Sequence, residues 1–252
     1  MNAPHPDRWC ETSVVPMLEP GEIHVWKIHL AAPAAAIQLE KFLSAEERER
    51  AARFHFAADK NRFITCRAVL RQLLAAQVGA TPDALRFESR PHGKPVVSGQ
   101  KNAAGLHFNC SHSADWGLVA LARDGEVGVD LEQHRHHTDV GALAERFFSA
   151  AEIGALKTLP EALKTMGFFN AWTRKEAFVK ALGLGLAFPL NGFSVTLAPG
   201  QPAALLDVVG DPEAVRKWTL AALDVRPDYS AALVFAGHGS RLKHFHWQPP
   251  IT

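Results

Sequence analysis

The chain has 252 residues, of which 47% are hydrophobic and 21% charged, an ordinary composition for a folded globular protein. Lysine and arginine total 27 against 26 acidic residues, so the net charge of +1 gives no sign of a nucleic-acid-binding protein. The three cysteines fit neither a disulfide framework nor a zinc-binding spacing. We recognise no signal peptide, and no apolar run is long enough to cross a membrane. We therefore expect a cytoplasmic protein of one large domain or two smaller ones.

The first half of the sequence begins with strand and helix signals. Glu22–Leu30 has the alternation of a strand, and Ser44 with Glu47 has the spacing of a helix-capping box. The apolar periodicity predicts a long helix over Asp59–Gln77. Basic side chains are dense over residues 48–71. They form either a solvated helix face or an anion-binding patch, and the sequence favours neither.

A run of strands follows these helices. Leu106–Cys110 and Trp116–Ala122 have strand composition, and we place Ser111–Ser113 on the loop between them. Asp124-Gly125 is a hairpin-turn signal that leads into a further strand, Val127–Glu132.

The Val127–Glu132 strand has one apolar and one acidic face. Asp130 and Glu132 lie two residues apart, so they point the same way and repel each other unless a cation lies between them. Gly128 leaves room for a ligand to approach the backbone. The residues alone allow a solvated strand end or half of a cation site.

The second half carries further helices and strands. We predict helices over Val140–Phe148 and Gly167–Gly183, with a helix capped by Ser149 and Glu152 between them. The later strands are predicted over Phe193–Leu197, Trp218–Leu223 and Ala231–Phe235. The basic, histidine-rich stretch from about residue 238 is expected to be a loosely ordered tail.

The Gly167–Gly183 helix contains three charged residues of interest. Glu176 and Lys180 are four residues apart and share one face, so an exposed ion pair within the helix is the simplest interpretation. Lys175 falls inside the apolar stripe, where a lysine needs a partner.

The two halves have elements in the same order, which indicates a weak internal repeat. Each has a helix, a long helix with a charged face, a turn rich in glycine and proline, and then strands. We therefore predict an N-terminal half over residues 1–125 and a C-terminal half over residues 126–252, with the tail from about 238.

Several side chains together suit a phosphate-bearing substrate. Three carboxylates, Asp130, Glu132 and Glu176, supply the oxygen ligands that Mg²⁺ prefers. Lys180, with Arg62 or Arg50, suits a substrate with more than one phosphate. The chemistry that this set supports is displacement at phosphorus.

Two segments carry a family likeness. They are Gly128-Val-Asp-Leu-Glu132 and Trp172-Thr-Arg-Lys-Glu-Ala-Phe-Val-Lys180. This pair resembles the signature of the 4′-phosphopantetheinyl transferases, in particular the two-half type that activates surfactin synthetase and other peptide and polyketide synthases. Further landmarks occur in the family's order: Gly93-Lys94-Pro95, Asn109-Cys-Ser-His-Ser113 with Trp116, Arg146-Phe-Phe-Ser149 with Glu152, and Phe188-Pro189 before Phe193-Ser-Val195.

The resemblance implies an α+β fold, a pseudo-dimer of two similar α+β halves, each an antiparallel sheet packed with a long helix. Coenzyme A would be held between the halves of a monomer. The implied reaction is the Mg²⁺-dependent transfer of phosphopantetheine to a serine of an acyl or peptidyl carrier protein, as in secondary metabolite biosynthesis. Adenosine 3′,5′-bisphosphate would be released.

The resemblance also implies roles for individual residues. Asp130, Glu132 and Glu176 match the Mg²⁺ ligands, and Glu176 is also the base for the serine hydroxyl. Lys180 matches the lysine that holds the pyrophosphate and stabilises the leaving group. The residues that match coenzyme A-binding positions are Arg50, Arg62, Lys94, Ser111, His112 and Lys180.

One residue departs from the family pattern. The family often has a lysine where this chain has Glu47, so the grip on the 3′-phosphate would rest on Arg50 and Arg53.

The residues themselves are also compatible with two other functions. The same carboxylates would serve a metal-dependent hydrolase that cleaves a pyrophosphate without any carrier. A carrier-protein binding module without activity is the third interpretation.

Overall fold

The computed structural model describes residues 9–99, 105–135 and 137–249 of the chain. The chain forms two compact units. Unit 1 consists of Met1–Ser89, Pro95–Asp124 and Arg241–Thr252, and unit 2 consists of Arg90–Lys94 and Gly125–Ser240. Both units combine helices with sheets, which confirms the α+β class. In the described part of the chain, no helix is both long enough and apolar enough to cross a membrane.

Unit 1 packs a long helix on a mixed sheet. Its helices are α1 (Pro33–Leu39), α2 (Ala45–Ala52) and α3 (Ala57–Val78). Its strands are β1 (Cys10–Thr12), β2 (Glu22–His29), β3 (Phe87–Ser89), β4 (Pro95–Val97), β5 (His107–Ser113), β6 (Trp116–Ala122) and β12 (Arg241–Trp247). The main sheet has the order β1-β12-β2-β6-β5, and β3 pairs with β4. Apolar side chains of α3, such as Val69 and Leu73, share a core with Trp26 and Phe108.

The C-terminal stretch is a strand, and the prediction of a loosely ordered tail is wrong. β12 lies between β1 and β2 and runs parallel to both, so this sheet is mixed rather than purely antiparallel. Phe245 stacks on Trp26 at a centroid distance of 4.6 Å, and Trp247 is buried. Arg241, Lys243, His244 and His246 separate the apolar residues of this strand and obscure its pattern in the sequence.

Two further local predictions differ from the structure. Ser111–Ser113 continues β5 rather than forming a loop, because these residues pair in register with β6. Asp124-Gly125 does not close a hairpin, since β6 pairs with β2 and β5 whereas the strand after the turn joins another sheet.

Unit 2 packs a second long helix on an antiparallel sheet. Its helices are α4 (Val140–Phe147), α5 (Ala150–Thr158), α6 (Glu161–Leu182) and α7 (Ala214–Lys217). Its strands are β7 (Val127–Gln133), β8 (Phe193–Val195), β9 (Leu205–Val208), β10 (Trp218–Ala222) and β11 (Tyr229–Ala236). The sheet order is β10-β11-β7, and α6 lies against β7 and β11. Phe168 and Phe178 of α6 share the core with Phe193 and Val234.

The helix ends follow the local sequence signals. Ser44 with Glu47 and Ser149 with Glu152 form complete capping boxes at the starts of α2 and α5. The predicted stop of α6 at Gly183 is confirmed, since Gly183 has a φ of 70° that L-residues rarely adopt.

A buried acidic residue ties β12 to β2. Glu22 Oε1 lies 2.7 Å from Lys243 Nζ and 3.3 Å from an Arg241 nitrogen. Glu22 Oε2 lies 3.1 Å from Nε2 of the buried His24. The hydrogen bond from Lys243, and then that from His24, lower the pKa of Glu22 from its ordinary 4.5 to about 2 despite burial.

Glu22→Gln is expected to make unit 1 less sensitive to acid. A carboxyl whose folded-state pKa is depressed stabilises the fold above its unfolded-state pKa, and that contribution is lost as the pH falls from about 4.5 towards 2. We expect the contribution to be on the order of 1–2 kcal/mol, because Lys243 and Arg241 are partly exposed. Urea unfolding at pH 7 and at pH 3 measures it. Equal loss of stability with acid in the wild type and the variant would contradict this assignment.

Candidate active site

The acidic strand β7 is buried along most of its length. Val127, Val129 and Leu131 are fully buried on the apolar face. On the other face, Asp130 is 3% exposed and Glu132 is half-buried. A solvated strand end is therefore excluded for Asp130.

Gly128 brings α6 against this strand. A Cβ at Gly128 would lie 2.1 Å from Ala177 O and 2.4 Å from Ala181 N, both in the backbone of α6. Any side chain at position 128 would push the helix away. The expectation that Gly128 leaves room for a ligand is therefore wrong, because the space beside it is filled by α6.

The close packing brings side chains of α6 to the carboxylates of β7. Lys180 Nζ donates to Asp130 Oδ1 at 2.5 Å, an ion pair between helix and strand. Burial raises the pKa of the Glu176 carboxyl, as do the charges of Asp130 and Glu132, whereas Lys180 lowers it. Asp130, Glu132, Glu176 and Lys180 therefore form one electrostatically coupled group, although their positions in sequence are up to 50 residues apart.

The same group offers carboxylate oxygens to a metal ion. Among the residues that the structure describes, no three histidine, cysteine, aspartate or glutamate side chains are arranged to hold a metal ion. The donor chemistry of Asp130, Glu132 and Glu176 nevertheless fits Mg²⁺, because all the ligating atoms are oxygens and their mutual repulsion favours a bound cation. Mg²⁺ commonly takes only one or two carboxylates and completes its shell with water and substrate phosphates.

A cavity of about 480 Å³ opens beside Glu176 and Lys180. The other side chains in its wall are mostly apolar, with one arginine and one asparagine. The lining residues are Arg146, Phe147, Glu176, Val179, Lys180, Gly185, Phe188, Pro189, Leu190 and Asn191. The cavity therefore gives a substrate access to the Glu176 carboxylate, which is the candidate base, and to the positively charged Lys180 side chain.

Lys175, next to Glu176, is fully buried and paired. Its Nζ lies 2.8 and 2.7 Å from the two carboxylate oxygens of Glu152 and 2.6 Å from Phe193 O. Burial lowers the pKa of Lys175 to about 8 although Glu152 opposes the shift. Lys175 therefore has the partner that a buried lysine needs, and this partner, Glu152, also caps α5. The pair fixes α6 against α5 and β8.

The side chain of Lys94 is engaged within unit 2. Its Nζ donates to Glu126 Oε2 at 2.7 Å, to Val127 O at 3.1 Å and to Ala181 O at 3.0 Å. An ammonium group has three donors, and three protein acceptors use them.

The other predicted coenzyme A-binding residues lie in unit 1. Arg62 lies 2.7 Å from Asp115 and 3.0 Å from Asp59, and the bond to Asp115 raises the pKa of this guanidinium. Arg50 is exposed and lies over the Phe63 ring at 5.2 Å. Ser111 and His112 occupy successive positions of β5, where His112 is exposed and Ser111 half-buried.

Glu47 has a structural role in unit 1. Besides capping α2, its carboxylate pairs with Arg67 at 2.6 Å and with the buried Arg71 at 2.5 Å. These two pairs explain why a glutamate is accommodated where the resembling family often has a lysine. Arg50 and Arg53 make no such pair with Glu47.

Comparison with known proteins assigns the family. Residues 126–234 match the model of the 4′-phosphopantetheinyl transferase superfamily, and residues 31–124 match the N-terminal model of 4′-phosphopantetheinyl transferase. The chain is 36% identical to 4′-phosphopantetheinyl transferase HetI of Nostoc sp. over 90% of this chain and 92% of that protein. It is 30% identical to 4′-phosphopantetheinyl transferase Sfp of Bacillus subtilis over 84% of this chain and 92% of that protein. It is also 36% identical to 4′-phosphopantetheinyl transferase psf-1 of Bacillus pumilus over 67% of this chain and 70% of that protein. With this extent of similarity and the acidic strand and helix described above, the chain belongs to the 4′-phosphopantetheinyl transferases.

Proposed function

We propose that this chain transfers the 4′-phosphopantetheine group of coenzyme A to a serine of an acyl or peptidyl carrier protein in an Mg²⁺-dependent reaction. The observation that carries the proposal is the coupled group on β7 and α6, in which Lys180 contacts Asp130 and the charges of Asp130 and Glu132 act on Glu176. The family membership supports the transfer itself.

Glu176 is the base in this proposal. Its raised pKa makes it a better proton acceptor than an exposed carboxylate, and it lines the cavity. It takes the proton of the serine hydroxyl, directly or through a water molecule. The serine oxygen then bonds to the phosphorus that carries pantetheine, and the bridging P–O bond to the other phosphate breaks.

Lys180 neutralises the departing phosphate. The Lys180 side chain is 29% exposed and lines the cavity, so its ammonium group can contact a diphosphate by exchanging its bond to Asp130. The negative charge that grows on the leaving adenosine 3′,5′-bisphosphate is then stabilised at the atom where it develops. When bound, Mg²⁺ held by Asp130, Glu132 and Glu176 neutralises diphosphate charge.

Further residues bind the substrate, and a single chain is the active form. Arg50, Arg62, Ser111 and His112 bind the nucleotide part of coenzyme A. The protein acts as a monomer, because one chain provides both the matched N-terminal region and the matched superfamily region.

The intact mass of a carrier domain, after incubation with the protein, coenzyme A and Mg²⁺, tests the proposal. A gain equal to one phosphopantetheine group, absent from a carrier whose acceptor serine is replaced by alanine, is the expected result. Cleavage of coenzyme A without a change in carrier mass would indicate a hydrolase instead. Unchanged carrier and unchanged coenzyme A would indicate a binding module.

A further inference from the structure

Lys94 lies in a short segment whose contacts differ from those of its chain neighbours. Arg90–Lys94 belongs to unit 2, although the residues on both sides belong to unit 1. The side chain of Lys94 is only 7% exposed. Its aliphatic part lies close to Gly183, where an added Cβ would come within 3.1 Å of Lys94 Cδ. The lysine is therefore packed into unit 2 along its whole length.

The acceptors of Lys94 lie at the two elements that carry the candidate active site. Val127 is the first residue of β7, and Glu126 precedes it. Ala181 lies in the last turn of α6, where Gly183 N donates to Val179 O and Lys180 O, and where Lys94 Nζ donates to Ala181 O. A lysine at a helix C-terminus is also favoured by the helix dipole. Lys94 thus fastens the end of α6 to the start of β7.

The acceptors of Lys94 on β7 and α6 lie within three residues of Asp130 and Lys180. Asp130 follows Val127 by three residues on β7, and Lys180 immediately precedes Ala181 on α6. The Asp130–Lys180 contact depends on the register between these two elements. Gly128 sets how closely they approach, and Lys94 limits how far they slide along each other.

We propose that Lys94 is a positioning residue for phosphopantetheine transfer, which acts through the register of α6 on β7 and not through a bond from its ammonium group to coenzyme A. The inference rests on the proposed function. It replaces the expectation that this side chain holds the nucleotide, because such a contact would require a buried ammonium group to give up one of its three protein acceptors.

Lys94→Met tests the proposal, since methionine keeps the aliphatic volume and removes the three donors. We expect kcat to fall at least about tenfold, because displacements of about 1 Å cost up to about 100-fold in rate. We expect the KM for coenzyme A to stay within about twofold of the wild type, because uniform substrate binding is unaffected. An increase in KM with unchanged kcat would overturn the proposal, as would wild-type values of both.

A second variant and a control complete the test. Glu126→Gln weakens the same attachment without removing the lysine, so it should lower kcat by a smaller factor and leave the KM for coenzyme A unchanged. It replaces Lys94→Met if that variant does not fold, and wild-type kcat in Glu126→Gln would overturn the proposal. Lys157→Met, which removes an exposed lysine of unit 2, should behave as the wild type. Absence of transfer by the wild type itself would instead refute the proposed function.

Discussion

Glu176→Gln is expected to reduce the rate of phosphopantetheine transfer by about 10²–10³-fold or more while the protein stays folded. Glutamine keeps the shape and the hydrogen-bonding capacity of the side chain but cannot accept the serine proton. It also removes a negative charge that Asp130 and Glu132 repel. The fold should therefore tolerate the change or gain a little stability.

The matched control for Glu176→Gln lies on the same helix. Glu161 stands in the first turn of α6, is exposed, and pairs with Lys164 on the surface. Glu161→Gln changes the net charge by the same amount and should retain the wild-type rate. Initial rates from carrier mass spectra, with circular dichroism as the check on folding, measure both variants. A rate for Glu176→Gln within a few-fold of the wild type would remove Glu176 from the mechanism.

Lys175→Met is expected to destabilise unit 2 by about 3–5 kcal/mol, the usual cost of removing one partner of a buried ion pair. Lys175 is 0% exposed, and without it the buried Glu152 carboxylate loses the cation that neutralises it. Phe193 O would also lose its donor. Glu152 would still accept from Val195 N at 2.8 Å, so part of the local structure should persist.

An exposed lysine–glutamate pair in the same unit provides the comparison. Lys157 and Glu145 are 3.2 Å apart and both are more than 60% exposed. Lys157→Met should cost less than about 1 kcal/mol, because exposed pairs contribute little. Urea denaturation of the two variants measures the difference. Equal stability of Lys175→Met and Lys157→Met would show that the buried pair is not a major source of stability.

Local sequence signals predicted the features that depend on neighbours in the chain. The capping box of Ser44 and Glu47 could be recognised because its atoms lie within one helical turn. The same holds for the end of α6 at Gly183. The acidic strand was recognisable because alternation along a strand fixes which side chains share a face.

Features that depend on distant partners were not predictable in the same way. The buried position of Lys175 was apparent from its helix, but its partner Glu152 lies 23 residues earlier on another helix. The sequence suggests that Gly128 leaves room for a ligand, because no local pattern reveals that α6 packs on this residue. β12 was not predicted because basic residues and histidines obscure its pattern and because its partner β2 lies more than 200 positions away. The acceptors of the Lys94 ammonium group lie on β7 and α6, and no pattern around Lys94 in the sequence reveals them.

We propose that β7 and α6 together provide one divalent-cation site for the transfer reaction. Electron paramagnetic resonance of Mn²⁺ in the presence of coenzyme A tests this without relying on catalysis. We expect the wild type to bind Mn²⁺ and Mg²⁺ to displace it. Asp130→Asn should weaken Mn²⁺ binding at least about tenfold, because even the loss of a residue that only supports a metal ligand typically weakens metal binding by about tenfold or more. Equal Mn²⁺ affinity of the wild type and Asp130→Asn would contradict the claim.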